Sequence, residues 1–230
     1  MAVSKIGKYA TSISGDTLEL IERPNGGLSI VLADGQWSGK SAKAISNVVT
    51  RKAVSLLADG VRDGAAARAA SDYLYTYRSG KVQATLNILS IDLQSQTLVI
   101  TRNNPAPVIL VRKGRLIYLD QSAQPVGTRL GIRPEINEIP LESGLVVIAF
   151  TDGLIHAGER TGQKIDITQC VNDLILEGSP EPSHWADYLL EQAIAHDQGR
   201  PADDISIVVI ATLPHTGDSV RRLTACMPLG

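Results

Sequence analysis

The most constraining stretch of this sequence is a run of aliphatic and β-branched residues, 28–33, that stops at Asp34-Gly35. Such a run predicts a buried strand, and an amphipathic helical pattern begins after Gly39. Asp34 is therefore expected at the tip of the strand, where the adjacent glycine lets a ligand approach the backbone. Because a buried carboxylate costs free energy unless it is paired, hydrogen-bonded or bound to a metal, the fold must bring a partner to Asp34.

Acidic residues stand at the ends of three other predicted strands. They are Asp152 after residues 145–151, the pair Asp203 and Asp204 before residues 205–211, and Asp16 before residues 17–22. A turn sequence at 23–27 predicts a hairpin that places Asp16 and Asp34 at the same end of two paired strands. Neighbouring strands in stacked sheets would bring all four acidic clusters to one edge.

Several carboxylates in one cleft repel one another, and divalent cations neutralise that repulsion. A site made only of oxygen ligands, without histidine or cysteine, favours Mg²⁺ or Mn²⁺ over Zn²⁺. A carboxylate that bridges two such ions is the arrangement of two-metal hydrolysis. The sequence therefore predicts a site for two Mn²⁺ or Mg²⁺ ions, built from aspartates at strand ends.

Helices and hairpins make up the rest of the pattern. Helices are predicted at 40–57, 65–77, 167–176 and 183–196, and further strands at 82–88, 98–102, 108–111 and 116–119. Hairpins dominate and no parallel crossover is required. The predicted class is therefore α+β, with largely antiparallel sheets covered by helical pairs.

The overall composition excludes several classes of partner. A chain of 230 residues suits one domain, expected at 1–212, followed by a tail at 213–230 without periodicity. The net charge of −2 gives no support for a nucleic-acid partner. The longest apolar runs fall far short of the ~20 residues that a membrane span needs. Cys170 and Cys226 lack metal-type spacing and suit reduced thiols, so a cytoplasmic protein without signal peptide is expected.

Four motifs together resemble those of a known family. They read Ser14-Gly15-Asp16, Ala33-Asp34-Gly35 with Ser38-Gly39-Lys40, Phe150-Thr151-Asp152-Gly153-Leu154, and Ala202-Asp203-Asp204-Ile205-Ser206. In this order and spacing they look like the motifs of the metal-dependent PPM serine/threonine phosphatases, and most of all those of the bacterial SpoIIE-like branch. Turns at 104–107 and 124–127 agree with that branch. The resemblance covers nearly the whole chain and implies an α/β/β/α sandwich.

The resemblance also implies roles for individual residues. The residue that matches Asp34 bridges both ions and holds the water that attacks phosphorus, so Asp34 would be the catalytic residue. The other implied metal ligands are Asp16 and the carbonyl of Gly35 at one ion, and Asp152 and Asp203 at the other. Asp204 would support these ligands without binding an ion itself.

The implied reaction is hydrolysis of phosphoserine and phosphothreonine in proteins. Because the first motif lies close to the start of the chain, we expect no sensor domain, and this compact form resembles the RsbX-type phosphatases of stressosome signalling. Their substrates are STAS-domain scaffold proteins. Two alternatives stay open: a non-catalytic module of the same fold that binds phosphorylated partners, and a phosphatase that acts on an anti-anti-sigma factor.

The sequence departs from the family pattern at the expected substrate side. The loop after Asp34 is one residue longer before the Gly-Lys pair, through Gln36 and Trp37, and the turn at Asn104 lacks the usual histidine. No position matches the phosphate-binding arginine or general-acid histidine of eukaryotic relatives. The nearby basic side chains are expected on the solvated surface or the rim of the site; they are Lys8, Lys40, Arg102 and His156.

The sequence Ser-Gly-Lys-Ser at 38–41 also suggests a nucleotide-binding P-loop. That motif needs four residues between its first glycine and the Gly-Lys pair. Counting back from Gly39 places Asp34 at the first position, and Gly35 leaves only three residues. We therefore treat 38–41 as the start of a helix.

Overall fold

A computed structural model of the chain describes residues 1–179, 181–214, 217, 220 and 222–226. Its strands are Ala2–Ile6 (β1), Asp16–Glu22 (β2), Leu28–Gly35 (β3), Ala84–Asp92 (β4), Thr97–Asn103 (β5), Val108–Arg112 (β6), Arg115–Leu119 (β7), Glu135–Pro140 (β8), Val146–Phe150 (β9) and Ile205–Ala211 (β10). Its helices are Gly39–Ala58 (α1), Asp63–Arg78 (α2), Asp152–His156 (α3), Ile167–Glu177 (α4) and Pro182–His196 (α5).

The strands form two antiparallel sheets that pack face to face. The first sheet has the order β1-β10-β9-β6-β7, and the second has the order β2-β3-β4-β5-β8. Aliphatic side chains alternate along the strands, so each sheet sends one row inward. The inner faces meet in a buried layer that includes Ile30, Leu32, Ile100, Val147 and Val208.

Pairs of helices cover the two outer faces. α1 and α2 pack on the second sheet, where Ile45, Val49 and Leu57 repeat at the spacing that aligns side chains on one helix face. α4 and α5 pack on the first sheet through residues such as Val171 and Leu189. The predicted α+β class and α/β/β/α sandwich are therefore confirmed.

Two strands and one short helix were not predicted from the sequence. β1 and β8 are edge strands, so half of their backbone faces away from the sheet and their side chains are only partly buried. Within β8 the apolar Ile136 and the charged Glu138 are both exposed, so the strand has no apolar face that a sequence pattern could reveal. α3 spans five residues, which is too short to show helical periodicity.

The structure corrects the predicted end of β3. The strand continues through Gly35, and Asp34 pairs with Thr85 of β4 instead of standing beyond the last pair. Ser38 precedes α1, which begins at Gly39. Because β3 is antiparallel to both neighbours, the parallel sheet of P-loop proteins is absent around it, and that interpretation is wrong.

The end of the chain is described only in part. Residues 215, 216, 218, 219, 221 and 227–230 of the predicted tail lie outside the described residues. In the described part, Cys170 is buried and Cys226 is exposed, and both are free thiols. None of the helices in that part has the length and apolar character that crossing a membrane requires.

Candidate metal centre

The hairpin of β2 and β3 places two carboxylates directly opposite each other. Asp16 and Asp34 are register partners in this antiparallel ladder. The predicted meeting of these two residues at one end of the hairpin is therefore confirmed. Since side chains of such partners stand about 5 Å apart, the ladder itself holds two like charges close together.

Asp16 lies beneath the cleft and is fully buried. Its Oδ2 accepts hydrogen bonds from Thr151 Oγ1 at 3.0 Å and from Ser206 Oγ at 2.6 Å. Its Oδ1 is buried and has no hydrogen-bond partner within the described residues. The backbone carbonyl of Asp16 accepts from Lys5 Nζ at 2.6 Å and from Lys43 Nζ at 2.7 Å. Asp16 is thus held through Oδ2 and through its backbone carbonyl, and within the described residues Oδ1 remains available as an acceptor.

The first sheet supplies the other two acidic residues. Asp152 is the first residue of α3, directly after β9. Asp203 precedes β10, and its Oδ1 lies 3.6 Å from Lys8 Nζ. β9 and β10 are antiparallel neighbours, so the end of one and the start of the other meet at the same edge. The first sheet therefore presents Asp152 and Asp203 towards the hairpin of the second sheet.

Burial and mutual repulsion raise the pKa values of this cluster. Burial, followed by the charges of Asp16 and Asp152, raises the pKa of Asp34 to about 9. Burial also raises the pKa of Asp16, although the hydrogen bond from Ser206 opposes that change. The pKa of Asp152 is raised by burial and then by the charge of Asp203. The carboxylates of Asp34, Asp16, Asp152 and Asp203 thus form one cluster of like charges, contributed by both sheets.

Close backbone contacts explain why glycines follow two of these aspartates. A Cβ atom on Gly35 would lie 2.0 Å from the carbonyl oxygen of Ala42 in α1. A Cβ atom on Gly153 would lie 2.1 Å from the carbonyl oxygen of Asp204. Both distances are far shorter than van der Waals contact, so each Asp-Gly pair lets a helix or loop pack against the site.

Asp204 connects the first and last acidic motifs. Its side chain is buried and accepts hydrogen bonds from the backbone N–H of Lys8 at 2.9 Å and of Gly15 at 2.7 Å. These bonds tie the segment that precedes Asp16 to the segment that carries Asp203. Both carboxylate oxygens are used in this way.

A cavity of about 510 Å³ opens over the cluster. Its lining includes Asp34, Asp152 and Asp203 on the acidic side, with Lys8 as the basic residue among those that line it. The remaining wall is neutral and is formed by residues such as Gln36, Trp37, Ser38, Gln83 and Pro125. The predicted ligands Asp34, Gly35, Asp152 and Asp203 therefore line a cleft that a substrate can enter, and Asp16 does not line it.

The other basic residues considered from the sequence, Arg102, Lys40 and His156, do not line the cavity. Arg102 was expected at the surface, but its side chain is fully buried and donates to the backbone oxygens of Asn104, at 2.8 Å, and of Gln121. It holds the loops after β5 and β7, so the surface interpretation is wrong. Lys40 is exposed, and His156 is half-exposed with its Nδ1 3.0 Å from Glu159.

The donor atoms of this cluster fit hard divalent cations. Every candidate ligand is an oxygen, and Asp16 Oδ1 is a buried acceptor without a partner in the described part of the chain. In the same part, no three Asp, Glu, His or Cys side chains already form a closed set around an ion. Carboxylates that are this close repel one another, and a bound cation would relieve the repulsion.

Several residues that shape the site were not singled out from the sequence. Thr151 and Ser206, the donors to Asp16, belong to the acidic motifs, and their position next to the aspartates was the available signal. Lys5 could not be found in this way because β1 was not predicted. Lys43 lies in a helix whose pattern shows only which face is apolar.

Comparison with known proteins agrees with this geometry. The family model described as Stage II sporulation protein E (SpoIIE) matches residues 24–213. Stage II sporulation protein E of Priestia megaterium is 22% identical over 214 residues, which are 93% of this chain and 36% of that relative. The chain thus spans about a third of the length of this curated relative.

Solved structures share the fold. The PP2C phosphatase domain of SpoIIE from Bacillus subtilis, solved with a fragment of its regulatory domain, has a TM-score of 0.76 at 21% identity over 90% of this chain and 61% of that one. RsbX in complex with magnesium has a TM-score of 0.67 at 18% identity, over 90% and 92% of the two chains.

The catalytic domain of the serine/threonine phosphatase PstP, in complex with two manganese ions, has a TM-score of 0.68 at 17% identity, over 90% and 95% of the chains. Solved neighbours of this fold thus include phosphatases crystallised with magnesium and with manganese. The family match covers Asp34, Asp152 and Asp203 together with the strands that position them. With that match over most of its length and the α/β/β/α sandwich of PPM phosphatases, the chain belongs to the SpoIIE family.

Proposed function

We propose that this chain is a metal-dependent phosphatase that hydrolyses phosphoserine and phosphothreonine in proteins. The observation that carries the proposal is the pairing of Asp16 with Asp34 across β2 and β3, faced by Asp152 and Asp203 from the other sheet. Four carboxylates at one cleft, without histidine or cysteine, suit two Mn²⁺ or Mg²⁺ ions. Such an ion pair, when bound, supplies an activated water nucleophile and neutralises charge on the phosphoryl oxygens.

In this proposal the chain's own residues divide the work. Asp34, the central carboxylate, would be the catalytic residue and would serve both ions. Asp16 and the carbonyl oxygen of Gly35 would hold one ion, and Asp152 and Asp203 would hold the other. Thr151 and Ser206 keep the Asp16 carboxylate in its orientation through the hydrogen bonds described above.

Lys8 is suited to orient the phosphate group of the substrate. It lines the cavity, and its backbone is held by Asp204, so its position is fixed relative to Asp203. A lysine ammonium attracts phosphate oxygens as a point charge. It therefore provides positive charge that the buried Arg102 does not offer to the cavity.

Phosphorylated STAS-domain proteins are the substrates we propose to test first. The support is the likeness to RsbX, which this chain matches over 92% of the RsbX chain. Substrates of an anti-sigma pathway, such as a phosphorylated anti-anti-sigma factor, are the second candidate within the same reaction. The cytoplasmic location and the single domain at 1–212 stay predictions.

The proposed function is tested by phosphate release from phosphothreonine peptides with and without Mn²⁺. We expect hydrolysis only with the metal, and Asp34→Asn should lower kcat at least a hundredfold because the variant lacks the shared carboxylate. Asp59→Asn, a change at an exposed aspartate at the end of α1, is the matched control and should keep full activity.

Two outcomes would contradict the proposal. Full activity in a folded Asp34→Asn protein would refute the site. Tight binding of phosphopeptides by the wild-type chain with no hydrolysis in Mn²⁺ or Mg²⁺ would favour the non-catalytic alternative. Incubation with phosphorylated STAS-domain proteins, followed by mass spectrometry, separates the substrates, since loss of phosphate from none of them would refute only that assignment.

A further inference from the structure

Trp37 lies on the rim of the cavity, in the loop between β3 and α1. It lines the same cavity as Asp34 and Asp152. Its side chain is 64% exposed, and its indole N–H has no hydrogen-bond partner among the described residues. By contrast, Trp185 is 4% exposed and donates to the Ser179 carbonyl at 2.8 Å. Trp185 is a core residue, whereas the indole of Trp37 adds little to the packing of the fold.

The backbone of Trp37 adopts a conformation that suits glycine. Its φ is +77°, in the left-handed region that bulky residues rarely occupy. The loop is nevertheless fixed, because the Gln36 N–H donates to the Gln83 carbonyl at 3.0 Å and the Gln83 N–H donates to Gln36 Oε1 at 3.2 Å. A large side chain held in a strained conformation beside a cleft is typical of functional positions.

The other strongly exposed aromatic side chains of the described part each have an aromatic or cationic neighbour. The Tyr9 ring has the Arg200 guanidinium 5.3 Å from its centre. Tyr73 and Tyr77 stack on each other with ring centres 6.1 Å apart. Trp37 has no comparable ring or cation contact in that part. Its indole face is therefore open next to the acidic floor of the cavity.

The surroundings of the indole favour an apolar contact. Gln36 and Ser38 flank Trp37 in the chain, Gln83 is hydrogen-bonded to Gln36, and Pro125 lines the same cavity; none of these four residues carries a charge. Neighbouring residues of an extended peptide are about 3.3 Å apart along the chain, so side chains next to a phosphorylated residue stay close to the cavity rim. An exposed indole that covers a hydrophobic side chain in such a place removes a large apolar area from water.

We propose that Trp37 is a specificity-determining residue whose indole packs on a hydrophobic side chain that flanks the phosphorylated residue of the protein substrate. The inference rests on the proposed phosphatase function. It adds a preference to that function: sites with an aliphatic neighbour are hydrolysed faster than sites with glycine neighbours.

The experiment compares two phosphothreonine peptides in Mn²⁺, one with leucine and one with glycine on both sides of the phosphothreonine. For the wild-type protein we expect kcat/KM to be about tenfold higher for the leucine peptide, mainly through a lower KM, which corresponds to the loss of one good aromatic contact. Trp37→Gly should bring the ratio of the two kcat/KM values close to one. Glycine accepts a positive φ, so this variant keeps the backbone of the loop.

Two further variants make the result specific to the indole. Trp37→Phe retains an aromatic face and should keep most of the leucine preference. Tyr77→Ala removes an exposed aromatic ring of α2 that does not line the cavity. Its ratio of kcat/KM for the leucine peptide to kcat/KM for the glycine peptide should equal that of the wild type. A leucine preference that survives in Trp37→Gly, or that Tyr77→Ala abolishes equally, would overturn the inference.

Tryptophan fluorescence separates this inference from the proposed reaction. Binding of the leucine peptide should shift the emission of the exposed Trp37 to shorter wavelength, and Trp37→Phe should remove that shift while the buried Trp185 stays as an internal reference. A shift without phosphate release would support docking at Trp37 and refute the phosphatase. Phosphate release with no shift and no leucine preference would support the phosphatase and refute the role of Trp37.

Discussion

Ser206 illustrates how one hydroxyl group adjusts the acidic centre. It donates to Asp16 Oδ2 at 2.6 Å from the neighbouring sheet, and this bond lowers the pKa of a carboxyl group whose burial raises it. A hydrogen bond to a carboxylate favours the charged form, which is the form that binds a cation. If Asp16 holds an ion as proposed, the hydroxyl would act on metal affinity through Asp16, without contact to the ion.

Ser206→Ala should weaken metal binding more than it weakens the fold. Loss of a group that orients a metal ligand typically costs tenfold to a hundredfold in affinity, so we expect the Mn²⁺ concentration for half-maximal activity to rise about tenfold. The free energy of unfolding should fall by about 1 to 2 kcal/mol through the lost hydrogen bond. Activity against Mn²⁺ concentration and urea unfolding in EDTA measure the two effects.

Ser4→Ala is the matched control for that substitution. Ser4 is a buried serine of the same sheet, and its hydroxyl donates to Asp187 of α5, away from the cavity. Its loss should lower the free energy of unfolding by a similar amount and leave the Mn²⁺ requirement within twofold of the wild type. Equal changes of the Mn²⁺ requirement in both variants would contradict the orienting role of Ser206.

At the scale of secondary-structure elements, the site depends on how closely α1 approaches β3. Gly35 allows this approach, because a Cβ atom there would lie 2.0 Å from the carbonyl oxygen of Ala42. The contact is between backbone atoms, so no side chain can move aside to relieve it. The position of α1 and the path of the backbone after Asp34 are therefore fixed together.

Gly35→Ala should displace α1 and destabilise the chain. Overpacking in a tightly packed region typically costs about 1 to 3 kcal/mol, and we expect about 2 to 3 kcal/mol here because the clash involves only backbone atoms of α1. Urea unfolding in EDTA measures the loss without a contribution from bound metal. Gly7→Ala is the control, since its Cβ atom would meet its nearest neighbour at 3.6 Å, and it should change stability by less than about 0.5 kcal/mol.

The central elements of the fold could be predicted from the sequence because burial imposes a pattern on them. The run at 205–211 coincides with β10, and the helix predicted at 40–57 differs from α1 by one residue at each end. The edge strands β1 and β8 carry a weaker signal because they are only partly buried and, unlike the edge strands β2 and β7, do not form a hairpin with a strand adjacent in the sequence. Their existence depends on pairing with β10 and β5, which is a property of the tertiary structure.

The site, too, has parts that a local sequence pattern predicts and parts that only tertiary structure creates. Acidic residues at strand ends were visible because buried carboxylates are costly and these ones directly precede or follow a predicted strand. Lys5 and Lys43, which both donate to the Asp16 carbonyl, come from an edge strand and a helix. No spacing in the sequence links a β1 residue to an α1 residue, so only the packed fold reveals this contact.

At the scale of the whole molecule, the acidic cluster links stability to pH and to metal. The pKa of Asp34 in the folded chain is raised from an ordinary value near 4 to about 9. Between these values Asp34 keeps its proton in the folded chain without metal and loses it in the unfolded chain. The contribution of Asp34 to the free energy of unfolding therefore falls as pH rises from about 4 to about 9, which is the reverse of the behaviour of a salt-bridged carboxylate.

Without metal, the chain should be less stable at pH 8 than at pH 5.5. One retained proton changes the free energy of unfolding by about 1.4 kcal/mol per pH unit, so the loss over this interval is about 3 kcal/mol, or roughly 6 to 12 °C in Tm for a chain of this size. Thermal unfolding in EDTA at the two pH values measures this change in Tm. Asp34→Asn, which cannot ionise, should flatten the profile, so the difference between the two proteins isolates this residue from other titrating groups.

Added Mn²⁺ should reverse the trend. Cations compete with protons for the same carboxylates, so affinity rises with pH, and binding to the folded chain alone raises Tm. We therefore expect a saturating Mn²⁺ concentration to raise Tm more at pH 8 than at pH 5.5 in the wild type, and to have little effect on Asp34→Asn at either pH. An equal Mn²⁺ effect at both pH values would mean that the carboxylates are already charged in the folded chain, which would contradict the raised pKa of Asp34 and the repulsion that we infer for the cluster.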